Sequence, residues 1–156
     1  MANDRTAIVR LEAGSPHLPV LADWRYDAFL KGTDVSLEES RRQLLTIAGS
    51  LNGEVALVAE HGGVPAGLCL YVHNEIDAAH DLTPWLASLY VVPEFRMRGI
   101  GRALVTAIED HARGDDAGRL HLYTIGAEAF YRRCGWVVAD RFDWHGKAFV
   151  LMQRDL

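Results

Sequence analysis

The hydrophobic positions of this chain follow two spacings, and these distinguish helices from strands. Apolar residues spaced three and four apart predict helices in four stretches: 17–30, 36–51, 100–113 and a short 127–135. The clearest stripe runs through Ile100, Leu104 and Ile108. Ser36, followed three residues later by Glu39, forms a capping box that starts the second helix.

Shorter apolar or alternating runs predict seven strands: 6–11, 54–60, 65–72, 84–92, 119–124, 136–142 and 147–153. His61-Gly62-Gly63 joins the second strand to the third as a hairpin, and His145-Gly146 does the same for the last two strands. The run 84–92 is almost entirely apolar, which predicts a central strand buried on both faces.

The order of these elements predicts the fold class. Hairpins come first, then one strand–helix–strand crossover, then a final hairpin, so we expect one α/β domain over residues 1–156. Its sheet should be mixed and mostly antiparallel, with about six or seven strands and about four helices. The crossover should make 84–92 and 119–124 parallel neighbours. Where such strands separate, their carboxyl ends leave a crevice for a ligand.

Charge and composition narrow the classes of partner. The formal net charge of -5 argues against general binding to nucleic acid or to an anionic membrane. No apolar run approaches the roughly 18 residues needed to span a bilayer, and the start lacks the layout of a signal peptide. We therefore expect a cytoplasmic protein. Cys69 and Cys134 lie in apolar settings without CxxC spacing, which favours free thiols over a metal site.

The segment EFRMRGIGRAL, residues 94–104, carries the most informative chemistry. Gly99 and Gly101 stand at the start of a predicted helix, where unpaired N–H groups suit phosphate oxygens. Arginines at 96, 98 and 102 add charged donors. A plain glycine turn on a solvated face would show the same letters. The dinucleotide motif fails because position 104 is leucine, and the Walker motif fails because Gly146-Lys147 precedes alanine.

Two blocks of sequence resemble one known family. SLYVVPEFRMRGIGRALV is similar to the acyl-CoA binding core of the GNAT superfamily of N-acetyltransferases, with Arg96, Gly99 and Gly101 on its fixed positions. LYTIGAEAFYRRCGW resembles the family's downstream block, with Tyr131 and Gly135 in register. The likeness extends over about residues 50 to 156, while the first 50 match only in element order. It implies the GNAT fold, with splayed parallel central strands.

The resemblance implies acetyl-CoA as co-substrate and no metal. The residues that it assigns to the coenzyme are Leu89, Tyr90, Val91, Arg96, Met97, Arg98, Gly99, Ile100, Gly101, Arg102, Ala103 and Thr124. The loop and the first helical turn would hold the pyrophosphate, and the strand before them would pair with the pantetheine arm. Relatives often carry asparagine where this chain has Thr124, so the resemblance implies a weaker or water-mediated contact there. Dimerisation is common among relatives, so a homodimer is a further possibility.

The implied reaction is attack of a free amine on the thioester. Tyr131 occupies the family's position for the acid that protonates the leaving thiolate, although a core tyrosine would satisfy the same pattern. The backbone N–H near Leu89 would face the developing oxyanion. The base stays open, since the usual strand positions are Trp85, Ala87 and Ser88. The polar residues that could serve through water are Asp23, His73, Glu75, His80 and Asp81.

The acceptor side is the least specified. Trp24, Tyr26, Trp85 and Ser88 are candidate substrate contacts, with Trp144 as a further possibility, and an aromatic wall with nearby aspartates would suit a cationic amine. For Phe29, a core position on the helix 17–30 is the favoured interpretation. The implied acceptor is a primary amine of a small molecule, peptide or protein. A non-catalytic acyl-CoA sensor and another kind of nucleotide-binding domain stand as alternatives.

Overall fold

The computed structural model describes residues 5–75 and 81–156, which form a mixed sheet covered by helices on both faces. The strands are β1 Thr6–Arg10, β2 Val55–His61, β3 Val64–Val72, β4 Trp85–Val91, β5 Arg119–Thr124, β6 Val137–Trp144 and β7 Lys147–Asp155. The helices are α1 Leu18–Arg25, α2 Leu37–Ala48, α3 Ile100–Gly114 and α4 Glu128–Arg133. All seven expected strands and all four expected helices are therefore confirmed, although α1 is shorter than expected.

The seven strands lie in the order β1-β2-β3-β4-β5-β7-β6. Neighbours are antiparallel except β4 and β5, which are parallel and align at a single pair, Trp85 with His121. The His121 N–H also donates to the Pro84 carbonyl at 3.1 Å. Beyond this point the two strands share no further pair. The predicted splayed parallel pair is thus confirmed at the centre of the sheet.

Each face of the sheet buries its own hydrophobic cluster. Helices α3 and α4 cover one face, where Leu104, Ile108 and Tyr131 pack on β3, β4 and β5. Helices α1 and α2 cover the other face with residues such as Leu21 and Leu44. Because β3 and the start of β4 contribute to both clusters, the middle of the sheet is buried on both faces.

The predicted helix 17–30 divides in two. Helix α1 ends at Arg25, and a wider turn over Tyr26–Leu30 follows, closed by the Lys31 N–H donating to the Tyr26 carbonyl at 2.8 Å. This bond spans five residues instead of four, as in a π-helical turn. The extra residue rotates the following side chains, and Phe29 is 46% exposed. The core position favoured for Phe29 from its spacing was therefore wrong.

Strand β4 also departs from expectation. Its first three residues are buried, but Ser88 to Val91 are only partly buried. The apolar run predicted a strand covered on both faces throughout. The second half lacks that cover because β5 diverges after His121, and this half of β4 forms one wall of the resulting gap.

Candidate active site

A β-bulge bends β4 at the point where the sheet splits. Leu70 of β3 aligns with Ala87 and Leu68 aligns with Tyr90, so two residues of β4 stand opposite one residue of β3. One of the two, Ser88, has a left-handed φ of 55°. A non-glycine residue in this conformation is strained unless its surroundings hold it. Here the Nε of Arg25 donates to the Ser88 hydroxyl at 3.1 Å and anchors the bulge.

The segment between β4 and α3 turns sharply and leaves the helix N-terminus open. Met97 and Gly99 are left-handed, with φ of 63° and 77°, and Gly99 caps the helix without a side-chain hydrogen bond. The first helical turn contains no acidic residue. The first N–H groups of an α-helix have no partner within the helix. They combine with the helix dipole to give a site suited to an anion.

Gly99 and Gly101 serve different structural purposes. A Cβ at position 99 would meet nothing within 4 Å, so Gly99 is required for its left-handed backbone. A Cβ at position 101 would lie 3.4 Å from the Phe130 ring and 3.8 Å from the Val91 side chain. Gly101 therefore lets the start of α3 lie close to both α4 and β4, at the mouth of the split.

The arginines of this segment lie around the open helix end. Arg96 donates through Nε to the Val91 carbonyl at 2.8 Å, and its guanidinium lies 5.6 Å from the centre of the Tyr90 ring. Arg98 lies 5.4 Å from the centre of the Phe95 ring. Arg96 thus ties the loop to the end of β4, a role that the sequence did not indicate.

Tyr131 lies in the hydrophobic cluster on the α3 and α4 face. It is 7% exposed, and its ring packs against Phe130 and Trp136 at centroid distances of 5.0 and 6.1 Å. Burial raises the pKa of Tyr131 far above its ordinary value, and the neighbouring thiols of Cys69 and Cys134 add to the effect. The phenol is therefore protonated at neutral pH. In residues 5–75 and 81–156 its hydroxyl has no hydrogen-bond partner.

The candidate substrate residues occupy different positions on the α1 and α2 face. Trp24 is partly buried, with its ring centroid 5.8 Å from that of Tyr90, and both line a groove of about 410 Å³ beside the end of β4. Tyr26 is partly buried in the wide turn. Trp85 is 1% exposed, and its indole N–H donates to the Leu82 carbonyl at 2.7 Å. Trp85 therefore belongs to the hydrophobic cluster under α1 and α2 and does not line a surface open to a ligand.

The remaining assigned residues frame the gap. Leu89 and Val91 are partly buried on the α3 face of β4. Thr124 ends β5 and pairs with Val150 of β7.

Of the candidate bases, Asp23 forms an exposed ion pair with Arg41, and His80 lies outside the described residues. His73 lies 3.7 Å from Asp115, which follows the C-terminal end of α3.

A cluster of polar groups spans the split on the α1 and α2 face. The Tyr123 hydroxyl of β5 donates to Glu75 Oε1 at 3.3 Å, where Glu75 follows β3. Arg25 of α1 is 7% exposed and donates through Nη1 to Gln43 at 2.8 Å, besides its bond to Ser88. Sequence reasoning missed Arg25 and Tyr123. One signal was available, because Arg25 continues the buried stripe through Leu18 and Leu21.

Burial shifts the pKa values within this cluster. It raises the pKa of Glu75 to about 7, although the charge of Arg25 and the hydrogen bond from Tyr123 oppose the shift. Burial and the nearby Glu75 raise the pKa of Tyr123 well above its ordinary value. A carboxyl that titrates near neutrality and a phenol that stays neutral lie together at the gap. Such pairs are typical of proton-transfer sites.

The split sheet and the open helix N-terminus form a strand–helix junction suited to an anionic ligand in a mixed α/β fold. A family model described as the acetyltransferase (GNAT) family matches residues 18–136, which is most of the chain. The chain therefore belongs to the GNAT acetyltransferase family, whose members are acyltransferase enzymes. Among curated proteins, none matches the sequence significantly.

Solved structures of low sequence identity share the fold. An aminoglycoside 6'-N-acetyltransferase complexed with coenzyme A is 15% identical with a TM-score of 0.76, covering 96% of both chains. A ribosomal-protein-alanine N-acetyltransferase from Brucella melitensis is 22% identical with a TM-score of 0.74, covering 96% of this chain and 99% of its own. A GNAT family acetyltransferase from Elizabethkingia anophelis with acetyl-CoA bound is 18% identical with a TM-score of 0.67, covering 98% and 99%.

In the described part of the chain, no helix is long and apolar enough to cross a membrane. The same residues contain no group of three or more histidine, cysteine, aspartate or glutamate side chains placed to hold a metal ion.

Proposed function

We propose that this protein transfers the acetyl group of acetyl-CoA to a primary amine of a small molecule, peptide or protein, by direct attack within a ternary complex. The observation that carries the proposal is the uncapped N-terminus of α3, which opens beside the gap between β4 and β5. An extended ligand with a pyrophosphate matches both features, because its phosphates suit the helix end and its arm fits between the strands.

We assign the coenzyme to the gap between β4 and β5 and to the N-terminus of α3. The N–H groups from Met97 to Arg102, with Ala103 at the edge, bind the pyrophosphate, and Arg98 and Arg102 supply charge from outside. The pantetheine arm pairs with the backbone of β4 at Leu89 and Val91, in the manner of an added strand. The β4 bulge supports this placement, since it exposes that backbone beyond Ala87.

The chemistry needs one stabilised oxyanion and one proton donor. The amine attacks the thioester carbonyl, and the backbone N–H near Leu89 stabilises the negative oxygen that forms. Collapse of the intermediate breaks the C–S bond. Tyr131 gives its proton to the departing thiolate and regains one from the new amide nitrogen. The position of Tyr131 in the downstream sequence block supports this role; burial keeps its phenol protonated at neutral pH but, by raising its pKa, also makes it a weaker acid.

The structural neighbours support acetyl-CoA as the acetyl donor, but they do not agree on one class of acceptor. Two of them were crystallised with coenzyme A or acetyl-CoA. By name, one acts on an aminoglycoside and another on an alanine of a ribosomal protein. A small amine and a protein amino group are thus both acceptors for this fold, and the acceptor here has to be found by assay.

We expect acetyl-CoA and coenzyme A to stabilise the protein against thermal unfolding, while ATP and NAD do not. A ligand present at 100 times its Kd adds about 2.7 kcal/mol to the free energy of unfolding. For a domain of this size the melting temperature should rise by roughly 5 to 11 °C. Parallel melting curves with the four ligands check the prediction. Stabilisation by ATP or NAD without any from acetyl-CoA would contradict the proposed function.

A thiol-release screen then tests for turnover. Acetyl-CoA is incubated with panels of amines and of peptides with free amino groups, and free coenzyme A is measured. Release that depends on one class of acceptor identifies the substrate. Binding without acceptor-dependent release in either panel would favour the non-catalytic sensor.

A further inference from the structure

The polar cluster on the α1 and α2 face lies opposite the assigned acid across the sheet. Tyr123 packs with the hydrophobic cluster under α1 and α2, whereas Tyr131 belongs to the cluster under α3 and α4. Glu75 approaches from the end of β3, and Arg25 connects the cluster to Ser88 at the bulge of β4. Arg25 also acts on Glu75 and Tyr123 through its charge, so the cluster brings together groups from both strands of the split, beside the residue where β4 bends.

We infer that Glu75 accepts the proton of the acceptor's ammonium group, through the hydroxyl of Tyr123, before the amine attacks. This inference rests on the proposed function and names the base that the usual β4 positions, Trp85, Ala87 and Ser88, lack. Its geometric basis is the contact between the Tyr123 hydroxyl and Glu75 Oε1 at 3.3 Å, at the edge of the gap.

The proton transfer balances as a relay. The ammonium N–H donates to the Tyr123 oxygen, Tyr123 passes its own hydrogen to the Glu75 carboxylate, and the neutral amine keeps its lone pair. The raised pKa of Tyr123 means that the phenol carries the proton onward without ionising itself. Glu75 is left as a neutral carboxylic acid and later releases the proton to water. The amine then approaches from this face, while the thiolate leaves toward Tyr131.

The same residues set the pH at which the relay works. In the described part of the chain, the groups that act on the Glu75 carboxyl are Arg25 of α1 and Tyr123 of β5, and both lower its pKa against the effect of burial. Glu75 accepts a proton only when it is ionised. The rate should therefore rise with pH through an inflection near 7, where the carboxyl titrates.

The test compares Glu75→Gln with Glu54→Gln. Glutamine keeps the size and one oxygen of Glu75 but cannot take a proton, so kcat at pH 8 should fall at least 10²-fold. The inflection near pH 7 should disappear as well. Glu54 is the matched control, because it accepts a hydrogen bond at 3.0 Å from the His73 N–H in the same loop, yet does not contact Tyr123. Glu54→Gln should keep both the rate and the profile.

Tyr123→Phe tests the relay separately. Losing the hydroxyl removes the proton path and one hydrogen bond that lowers the pKa of Glu75. We expect a kcat at least tenfold lower, with the remaining activity inflecting at a higher pH than in the wild type. An unchanged rate and an unchanged inflection in Tyr123→Phe would overturn the relay.

The outcomes separate this inference from the proposed function. If the wild-type protein neither binds acetyl-CoA nor releases thiol, the proposed function fails. If it turns over and Glu75→Gln keeps the wild-type rate and inflection, only the inference fails. A Glu75→Gln protein with raised KM, unchanged kcat and an unchanged inflection would make Glu75 an anchor for the ammonium and would also overturn it. Acetyl-CoA-induced stabilisation confirms that each variant is folded.

Discussion

Replacing Tyr131 by phenylalanine should lower kcat about 10²-fold, at the lower end of general-acid effects. The change removes one oxygen from a ring that is otherwise held by Phe130 and Trp136, so the packing stays. Because in the described residues the hydroxyl makes no hydrogen bond, removing it leaves no buried partner unsatisfied. Stability and acetyl-CoA affinity should therefore change little, while expulsion of the thiolate loses its proton donor.

Single-turnover thiol release, with the acceptor saturating, measures this prediction directly. The deficit should shrink for an acetyl thioester whose thiol is more acidic, because a more stable thiolate needs less protonation. Tyr71→Phe is the matched control. Tyr71 is 1% exposed on the same face, and its hydroxyl donates to Asp115 at 2.7 Å. That variant should lose about 1 kcal/mol of stability and keep its rate. An undiminished single-turnover rate in Tyr131→Phe would remove Tyr131 from the chemistry.

Replacing Arg154 by methionine should destabilise the fold by about 2 to 3 kcal/mol. Arg154 of β7 lies 3.4 Å from Glu109 of α3, and Glu109 is 6% exposed. Without the guanidinium, the Glu109 carboxylate stays buried with the Trp136 indole as its hydrogen-bond donor at 3.2 Å. Arg154 also donates through Nη1 to the Gly135 carbonyl at 2.8 Å, and Gly135 lies in the turn that follows α4. Breaking a buried pair from one side leaves an uncompensated charge, which is costly.

Denaturant unfolding gives the size of this effect, and Arg119→Met provides the comparison. Arg119 pairs with Asp155 at 2.6 Å near the same end of the sheet, but both side chains are exposed. Exposed ion pairs contribute less than about 1 kcal/mol. A loss in Arg154→Met no larger than that in Arg119→Met would show that the pair with Glu109 does not hold α3 to the sheet.

The secondary structure around the proposed coenzyme site was predictable from the sequence, for physical reasons. The stripe through Ile100, Leu104 and Ile108 is a strong helical signal, and the glycine pair stands where that helix begins. The two-residue turns at Gly62-Gly63 and His145-Gly146 identify hairpins by chemistry, and all four residues have positive φ. Local signals of this kind need no tertiary context.

The structure around the proposed acceptor site depends on tertiary contacts and was harder to predict from the sequence. The wide turn after Arg25 is closed by the hydrogen bond from the Lys31 N–H to the Tyr26 carbonyl, five residues earlier. No residue type in this stretch predicts such a turn. The sequence of β4 is almost entirely apolar, yet its second half lines a gap. Its exposure depends on the path of β5, which diverges after His121 and cannot be deduced from the sequence of β4. Glu75, Tyr123 and Arg25 are far apart in sequence, and only the fold brings them together.

The titration of Glu75 near pH 7 sets stability and activity against each other. The folded state binds this proton more tightly than the unfolded chain, whose glutamate titrates near 4.3. The stability that Glu75 contributes is therefore fully present below that value and declines as the pH rises through about 7, by at most roughly 4 kcal/mol. Unfolding free energies at pH 5 and pH 8, compared with those of Glu75→Gln, would reveal the decline. The contribution of Glu75 to stability is thus largest under acidic conditions, in which the proposed base is protonated, and it is lost over the pH range in which the base becomes reactive.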